Sequence, residues 1–231
     1  MHNALATIGF AVPLPVNIAL LGGDLPERLT CPISRPVFGS TRILRKDEGI
    51  FAEGDRASYF HGVVSGAVRT CRLLSDGRRQ IDAFHLPGDI FGVESVNEHR
   101  HSAEAVCAAT VVAYRSRSFA CVASNDSLGR RVVASMMRSL ERAQDHILLL
   151  GRKSALEKIA AFLLGLAERC PDDDTIELPM SRTDIADHLG LTVETVSRCL
   201  TRLARQGMIG LSIQRRSVIL LDSVALRQLN S

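Results

Sequence analysis

Glu194, Ser197 and Arg198 stand within about one helical turn of each other and carry hydrogen-bonding groups that can read the edges of DNA bases. Arginine can pair bidentately with guanine, glutamate can accept from cytosine, and serine can contact either kind of base edge. Reading requires that these side chains project from the early turns of a helix lying in the major groove. The surrounding stretch, Thr183-Asp-Ile-Ala-Asp-His-Leu-Gly-Leu-Thr-Val-Glu-Thr-Val-Ser-Arg198, has the spacing that builds such a helix. Ala186 is small, so a second helix can pass close over the first. Gly190 falls where the turn needs a positive φ, which costs glycine little. Val196 points back into the angle between the helices, and Ile185, Leu189 and Leu191 seal its inside. The competing reading is a helical hairpin with a solvated polar face in an unrelated α-domain. The joint match of spacing, turn glycine and polar triplet favours a helix-turn-helix.

The elements around this stretch must hold it against DNA. Leu178-Pro179 leads into Ser181, an N-cap for the first helix. Downstream, Gly207-Met208-Ile209 ends the second helix and leads into a strand. The apolar runs Leu211-Ser-Ile213 and Val218-Ile-Leu-Leu221 flank Gln214-Arg215-Arg216-Ser217, which makes a β-hairpin wing with a basic tip. Arg215 and Arg216 are expected near phosphate, although turns favour charge in any case. Ser181, Arg182, Thr192, Thr195 and Arg202 complete the expected backbone contacts, which position a protein without carrying sequence information.

At 231 residues the chain can hold two cores, and its net charge of +3 permits nucleic-acid binding without demonstrating it. The six cysteines (31, 71, 107, 121, 170 and 199) have no metal-ligand spacing and read as reduced thiols of a cytoplasmic protein. The apolar stretch Ala4 to Gly23 is broken by Pro13 and Pro15 and lacks a basic flank, so neither a signal peptide nor a membrane span fits. Phosphate-loop, HExxH and nucleophile-elbow motifs are all missing, and the chain reads as no enzyme, with no metal and no cofactor.

Periodicity divides the chain into four parts. Residues 1–40 form an arm with at most a short helix around Leu25 to Leu29. Residues 41–124 carry short β-like runs (49–51, 59–64, 67–68, 81–84, 105–106 and 110–114) broken by glycine turns, which predicts a closed sandwich or roll. Residues 125–151 place Val133, Met136, Leu140, Ala143, Ile147 and Leu150 at alternating three- and four-residue spacing. That is the seam of a two-stranded coil, although a helix packed on its own domain gives a similar pattern. Beside a helix-turn-helix that works on two half-sites, a dimerisation helix is the better reading. Residues 152–231 begin at the capping box Ser154-Ala-Leu-Glu157, continue through Ile159, Phe162, Leu163 and Leu166, and end in a short helix with Leu226 and Leu229. The fold class is α+β.

A β-roll, a long dimer helix and a C-terminal winged helix-turn-helix, in that order, resemble the Crp/Fnr superfamily of bacterial transcription regulators over roughly Ile43 to Leu221. Phe51-Ala-Glu-Gly-Asp55, the Val63-to-Val68 run through Gly66, and Pro87-Gly-Asp-Ile-Phe-Gly92 are similar to the family's cyclic-nucleotide-binding roll. Val193-Glu-Thr-Val-Ser-Arg198 resembles the Fnr branch, because Val193 and Ser197 stand where the cyclic-AMP branch has arginine and glycine. The resemblance implies a TTGAT-N4-ATCAA-like palindrome in double-stranded DNA. Arg198 would lie on guanine, Ser197 on thymine and Glu194 on the complementary strand, with a homodimer matching the dyad. Fnr itself holds an iron–sulfur cluster on clustered N-terminal cysteines. Here only Cys31 lies in the arm, so the chain resembles the FixK-type subgroup. Members of that subgroup activate genes for microoxic respiration, denitrification and nitrogen fixation, which makes RNA polymerase an expected partner.

In the family's nucleotide site, a glutamate holds ribose and an Arg-Ser pair holds phosphate; Val93 and His101-Ser102 occupy those places here. Val93 cannot bond a ribose hydroxyl and His101 lacks the guanidinium fork. Sliding by one residue to enlist Glu94 and Arg100 would turn both side chains to the opposite face. Control by a cyclic nucleotide is therefore not expected. An alternative function is a ligand-gated sensor whose roll binds a small molecule, or haem through His61, His85, His99 or His101. Cys199, beside Arg198, is a candidate redox switch if the neighbouring arginines lower its pKa; the competing role is simple packing.

Overall fold

The computed structural model describes residues 39–116, 127–169, 175–212 and 217–229. Eight strands come first: β1 (Ser40–Leu44), β2 (Gly49–Phe51), β3 (Tyr59–Ser65), β4 (Val68–Leu73), β5 (Arg79–His85), β6 (Ile90–Phe91), β7 (Ser102–Ala105) and β8 (Ala109–Arg115). They pair antiparallel into two four-stranded sheets, ordered β1-β8-β3-β6 and β2-β7-β4-β5. Apart from β4 and β5, which pair as a hairpin within one sheet, consecutive strands alternate between the layers, and the expected roll is present. β8 shows why: Ala109, Val111 and Ala113 are buried while Thr110, Val112 and Tyr114 between them are only half-buried, the period of a strand with one face on a core. Gly66, at φ 75°, makes the turn between β3 and β4, and a side chain there would meet Ala109 Cα at 2.7 Å. Conformation and space both demand glycine.

Helix α1 (Ser127–Arg152) follows as 26 residues, about 39 Å at 1.5 Å per residue. It packs on the roll through Val132, which is buried with Phe60, and through the Ser135 hydroxyl, which accepts from the Ile90 amide at 3.0 Å. Helix α2 (Ala155–Ala167) opens at the expected capping box, with Ser154 accepting from the Glu157 amide and Glu157 accepting from the Ser154 amide. β9 (Thr175–Glu177), α3 (Arg182–Leu189), α4 (Val193–Arg205), β10 (Ile209–Leu211), β11 (Ser217–Leu220) and α5 (Ser223–Leu229) complete the chain. β10, β11 and β9 form a three-stranded antiparallel sheet beside the helices.

Several elements differ from expectation. β9 is absent from the sequence reading because Thr175-Ile-Glu177 is short and has one apolar residue, Ile176, which is fully buried against the helices. β1 and β6 are likewise short and were not foreseen as strands. β4 extends through Arg69, a charge in the middle of a strand that hides the apolar pattern. The expected helix near Leu25 to Leu29 and the wing tip with Arg215 and Arg216 lie outside the described residues.

The roll and the C-terminal helices share one contiguous core, in which Ala67, Ile81 and Phe84 of the roll join Ile159, Leu163, Ile185 and Leu189. Charges lace the same junction. Arg69, buried, donates to Glu104 at 2.6 Å, to Asp47 at 3.0 Å and to Asp184 at 3.2 Å. Arg79 donates to Asp184 at 2.6 Å and to Asp187 at 2.9 Å. These long-range partners explain how an arginine can sit inside β4, since a buried charge is tolerated when it is paired and hydrogen-bonded.

Candidate nucleic-acid interface

Helix α3 is set by its ends. Ser181 is its N-cap, accepting from the Asp184 amide at 3.1 Å, while its hydroxyl donates to Asp184 Oδ2 at 2.7 Å. Asp184 is thereby both the cap partner of α3 and the acceptor for Arg69 and Arg79. These hydrogen bonds and arginines hold its carboxyl below the usual range against the opposing effect of burial. Gly190 ends the helix in the left-handed region at φ 62°, with its amide donating to the Ala186 carbonyl. Nothing comes nearer than 3.8 Å to where a Cβ would stand, so backbone conformation rather than space requires glycine.

Helix α4 begins at Thr192, whose hydroxyl accepts from the Thr195 amide at 3.2 Å. Val196, Leu200 and Leu203 are buried with Ile185, Ala186 and Leu189, which closes the angle between the helices as the spacing predicts. The opposite face carries the polar residues. Glu194 and Arg198 are exposed and Ser197 is half-buried. Arg198 Nε donates to the Glu194 carbonyl at 3.4 Å, an exposed and replaceable contact. Ser197 Oγ accepts from Arg182 Nη1 at 2.9 Å, a bond across the helix pair.

Ser197, Arg198, Thr201, Arg202 and Arg205 line a groove of about 490 Å³ along α4. Three guanidiniums, those of Arg198, Arg202 and Arg205, make an anion-attracting strip on the same helical face as Ser197. Thr201 and Arg205 escaped the sequence reading as site residues, although their spacing of four and eight from Ser197 places them on its face. Among the expected phosphate contacts, Ser181, Arg182, Thr192, Thr195 and Arg202 lie at or near the helix pair, but the Ser181 and Thr192 hydroxyls already act as caps. The flanks of the wing are the strands β10 and β11.

Along α1, Val133, Met136, Leu140, Ala143, Ile147 and Leu150 all face solvent in the single chain, with Ile147 69% exposed and Leu140 53%. The face that packs on the same chain is a second heptad series one residue earlier. It comprises Val132, Ser135, Ser139, Arg142, His146 and Leu149. Arg142 lies 3.5 Å from Asp89, and His146 stacks on His188 of α3 at 4.1 Å. Leu149 packs into the main core.

The thiol of Cys199 is raised by burial, against the smaller opposing influence of Arg202 and Arg198. This reverses the expected lowering: the guanidiniums lie on the solvent side, while the thiol is half-buried against the core. In the roll, Val93 packs beside Phe60 and Val132, and the Ser102 hydroxyl accepts from the Glu53 amide at 3.0 Å. Glu94 and Arg100 hold each other, Arg100 Nε donating to Glu94 Oε2 at 3.1 Å. His85 is buried and within 3.1 Å of Thr70 Oγ1, and His99 stacks on Phe51 at 3.6 Å. His61 is also buried, whereas His101 is half-buried at the start of β7. No group of three or more candidate metal ligands occurs among the described residues, and no helix there is long and apolar enough to cross a membrane.

Residues 157–229 match the Crp-like helix-turn-helix domain family, and residues 41–126 match the cyclic nucleotide-binding domain family. The nitrogen fixation regulation protein FixK of Azorhizobium caulinodans is 47% identical over 200 residues, covering 84% of this chain and 80% of that protein. The protein of the same name from Rhizobium meliloti is 41% identical over 198 residues, covering 86% of this chain and 90% of its own. The structure of FixK2 from Bradyrhizobium japonicum matches with a TM-score of 0.78 at 46% identity, covering 84% of this chain and 98% of that one. With a nucleotide-type roll, a Crp-like reading head and FixK relatives alike in sequence and fold over most of its length, the chain belongs to the Crp/Fnr family of transcription regulators, of the FixK type.

Proposed function

We propose that this regulator is a homodimeric transcription activator that binds a TTGAT-N4-ATCAA-like palindrome in double-stranded DNA and recruits RNA polymerase. The observation that carries the reading is the outward face of α4, where Glu194, Ser197 and Arg198 lead into the strip of Arg202 and Arg205. Bases would be read by the first three residues, and phosphates held by the strip, Thr195 and the wing arginines. The exposed seam of α1 supplies the surface on which a second copy would bring a second α4 to the other half-site. Target genes would be those for nitrogen fixation or for microoxic or anaerobic respiration, and relatives named as nitrogen fixation regulation proteins support the first of these. The role is that of a cytoplasmic binding protein rather than an enzyme. The proposed parts are the arm to residue 40, the roll to 124, the dimer helix to 151 and the DNA-binding domain thereafter.

Gel-shift titration against that palindrome is the test. Arg198→Ala is expected to weaken binding by roughly 1–3 kcal/mol per half-site and to relax preference at one base pair. Unchanged binding would remove Arg198 from the reading set.

A second reading, a roll that senses a small molecule, is favoured by a groove of about 410 Å³ lined by Arg42, Phe51, Arg56, Tyr59, His61 and His99. An absorbance scan of the purified protein tests its haem form. A Soret band would support it, and a flat spectrum would reject it.

A further inference from the structure

We infer that Arg182 is a positioning residue that aims the Ser197 hydroxyl as a hydrogen-bond donor into the groove, and so sets the base preference at the pair Ser197 meets. The inference rests on the base-reading role proposed above for Ser197.

Arg182 is the first residue of α3 and reaches across the helix pair to Ser197 on α4, Nη1 to Oγ at 2.9 Å, in a half-buried setting. A guanidinium has donors only, whereas a hydroxyl has one proton and two lone pairs. The serine oxygen must therefore accept, and its proton is left for another partner. Such charge-assisted bonds are roughly twice as strong as neutral ones, so the hydroxyl is a biased rotor. Thr201 shows the contrasting case on the same face. Its hydroxyl donates to the Ser197 carbonyl at 2.9 Å, which ties the proton to the helix.

A hydroxyl held as a donor selects pairs that present an acceptor at that place, such as thymine O4 or a guanine edge. It disfavours cytosine, whose major-groove group is the N4 amino donor. A residue on the first helix, which need not touch a base, then contributes to sequence preference. This differs from a phosphate contact, where Arg182 would add affinity equally to every sequence.

Fluorescence-anisotropy titrations of the full chain separate the two roles. The palindrome is varied through all four base pairs at the position where Ser197→Ala relaxes preference, over a salt series. Arg182→Ala is expected to reduce discrimination at that pair about fivefold, the range of one hydrogen bond. Combination with Ser197→Ala should reduce it no further. Arg182→Lys, which keeps a charged donor, should retain most of the preference. A thermal melt of each variant establishes that it is folded.

If Arg182→Ala weakens all four sequences equally and lowers the salt slope by about 0.9 per half-site, Arg182 is a phosphate contact and the inference is overturned. If Ser197→Ala changes preference at no position while Arg198→Ala does, the inference falls and the DNA reading stands. If the unsubstituted protein shows no preference for the palindrome, the proposed function fails at its root.

Discussion

Cys199 follows Arg198 on α4 and is half-buried beneath it, so its thiol feels two opposed influences. Burial raises its pKa and outweighs the arginines, which leaves little of the reactive thiolate at neutral pH. Position alone still makes the site sensitive, since a negative charge here would be partly buried against the core beneath the outward face of α4. Cys199→Asp is expected to weaken palindrome binding at least tenfold, whereas Cys199→Ser should keep it. Anisotropy titration measures both, and equal affinities would show that α4 tolerates charge at this point. Glu194, Ser197 and Arg198, the proposed base contacts, were each legible as a residue type at the right spacing. The Ser197–Arg182 bond was not, because it joins residues 15 apart in sequence through the crossing of two helices.

Among the elements, α1 carries two heptad-spaced series one residue apart. The inner one, through Val132, Ser135, His146 and Leu149, holds the helix on its own chain. The outer one, through Val133, Met136, Leu140 and Ile147, is left uncovered. Were the outer series merely the packing face of an amphipathic helix, it would be buried here. Leu140→Glu together with Ile147→Glu should therefore convert a dimer to monomers with little loss of helix content. Sedimentation velocity and circular dichroism check the two halves of that statement. A monomeric unsubstituted protein would overturn it. Periodicity revealed the outer seam but not the inner one, because Ser135, Arg142 and His146 do not look like packing residues in sequence.

For the whole molecule, the notable feature is how polar groups join the roll to the reading head. Asp184 ties the cap of α3 to Arg69 and Arg79 of the roll. His188 on α3 packs between Phe84, Phe162 and His146, with Nδ1 3.1 Å from the Ile81 carbonyl. Burial pushes His61, His85 and His188 each down to about 4, from an ordinary 6.5. Above pH 6.5 these imidazoles are neutral in folded and unfolded chains alike and leave stability unaffected. Below 6.5 the unfolded chain binds protons first, so stability falls down to about pH 4. The cost is roughly 2 kcal/mol per histidine at pH 5, with about 1.4 kcal/mol for each unit of displacement. The lowered carboxyl of Asp184 acts in a separate window, its stabilisation being lost only below the ordinary 3.8. Urea titrations at fixed protein concentration should show equal stability at pH 7 and 8 and a marked loss at pH 5. Equal stability at pH 5 and 7 would contradict the burial of these rings.

By itself the sequence determined the order of parts, the helix-turn-helix with its left-handed Gly190, the caps at Ser154 and Ser181, and the outward polar triplet. Each of these is local: a period, a cap or a turn is written within a few neighbouring residues. Only the tertiary structure decided where Arg69 and Arg79 find their partners, why β9 is a strand, which face of α1 stays open, and which way the Cys199 thiol shifts. Those outcomes depend on contacts between distant segments and on burial. A charge in a strand or a thiol beside arginine has no determined environment until the roll and the helices close on one core.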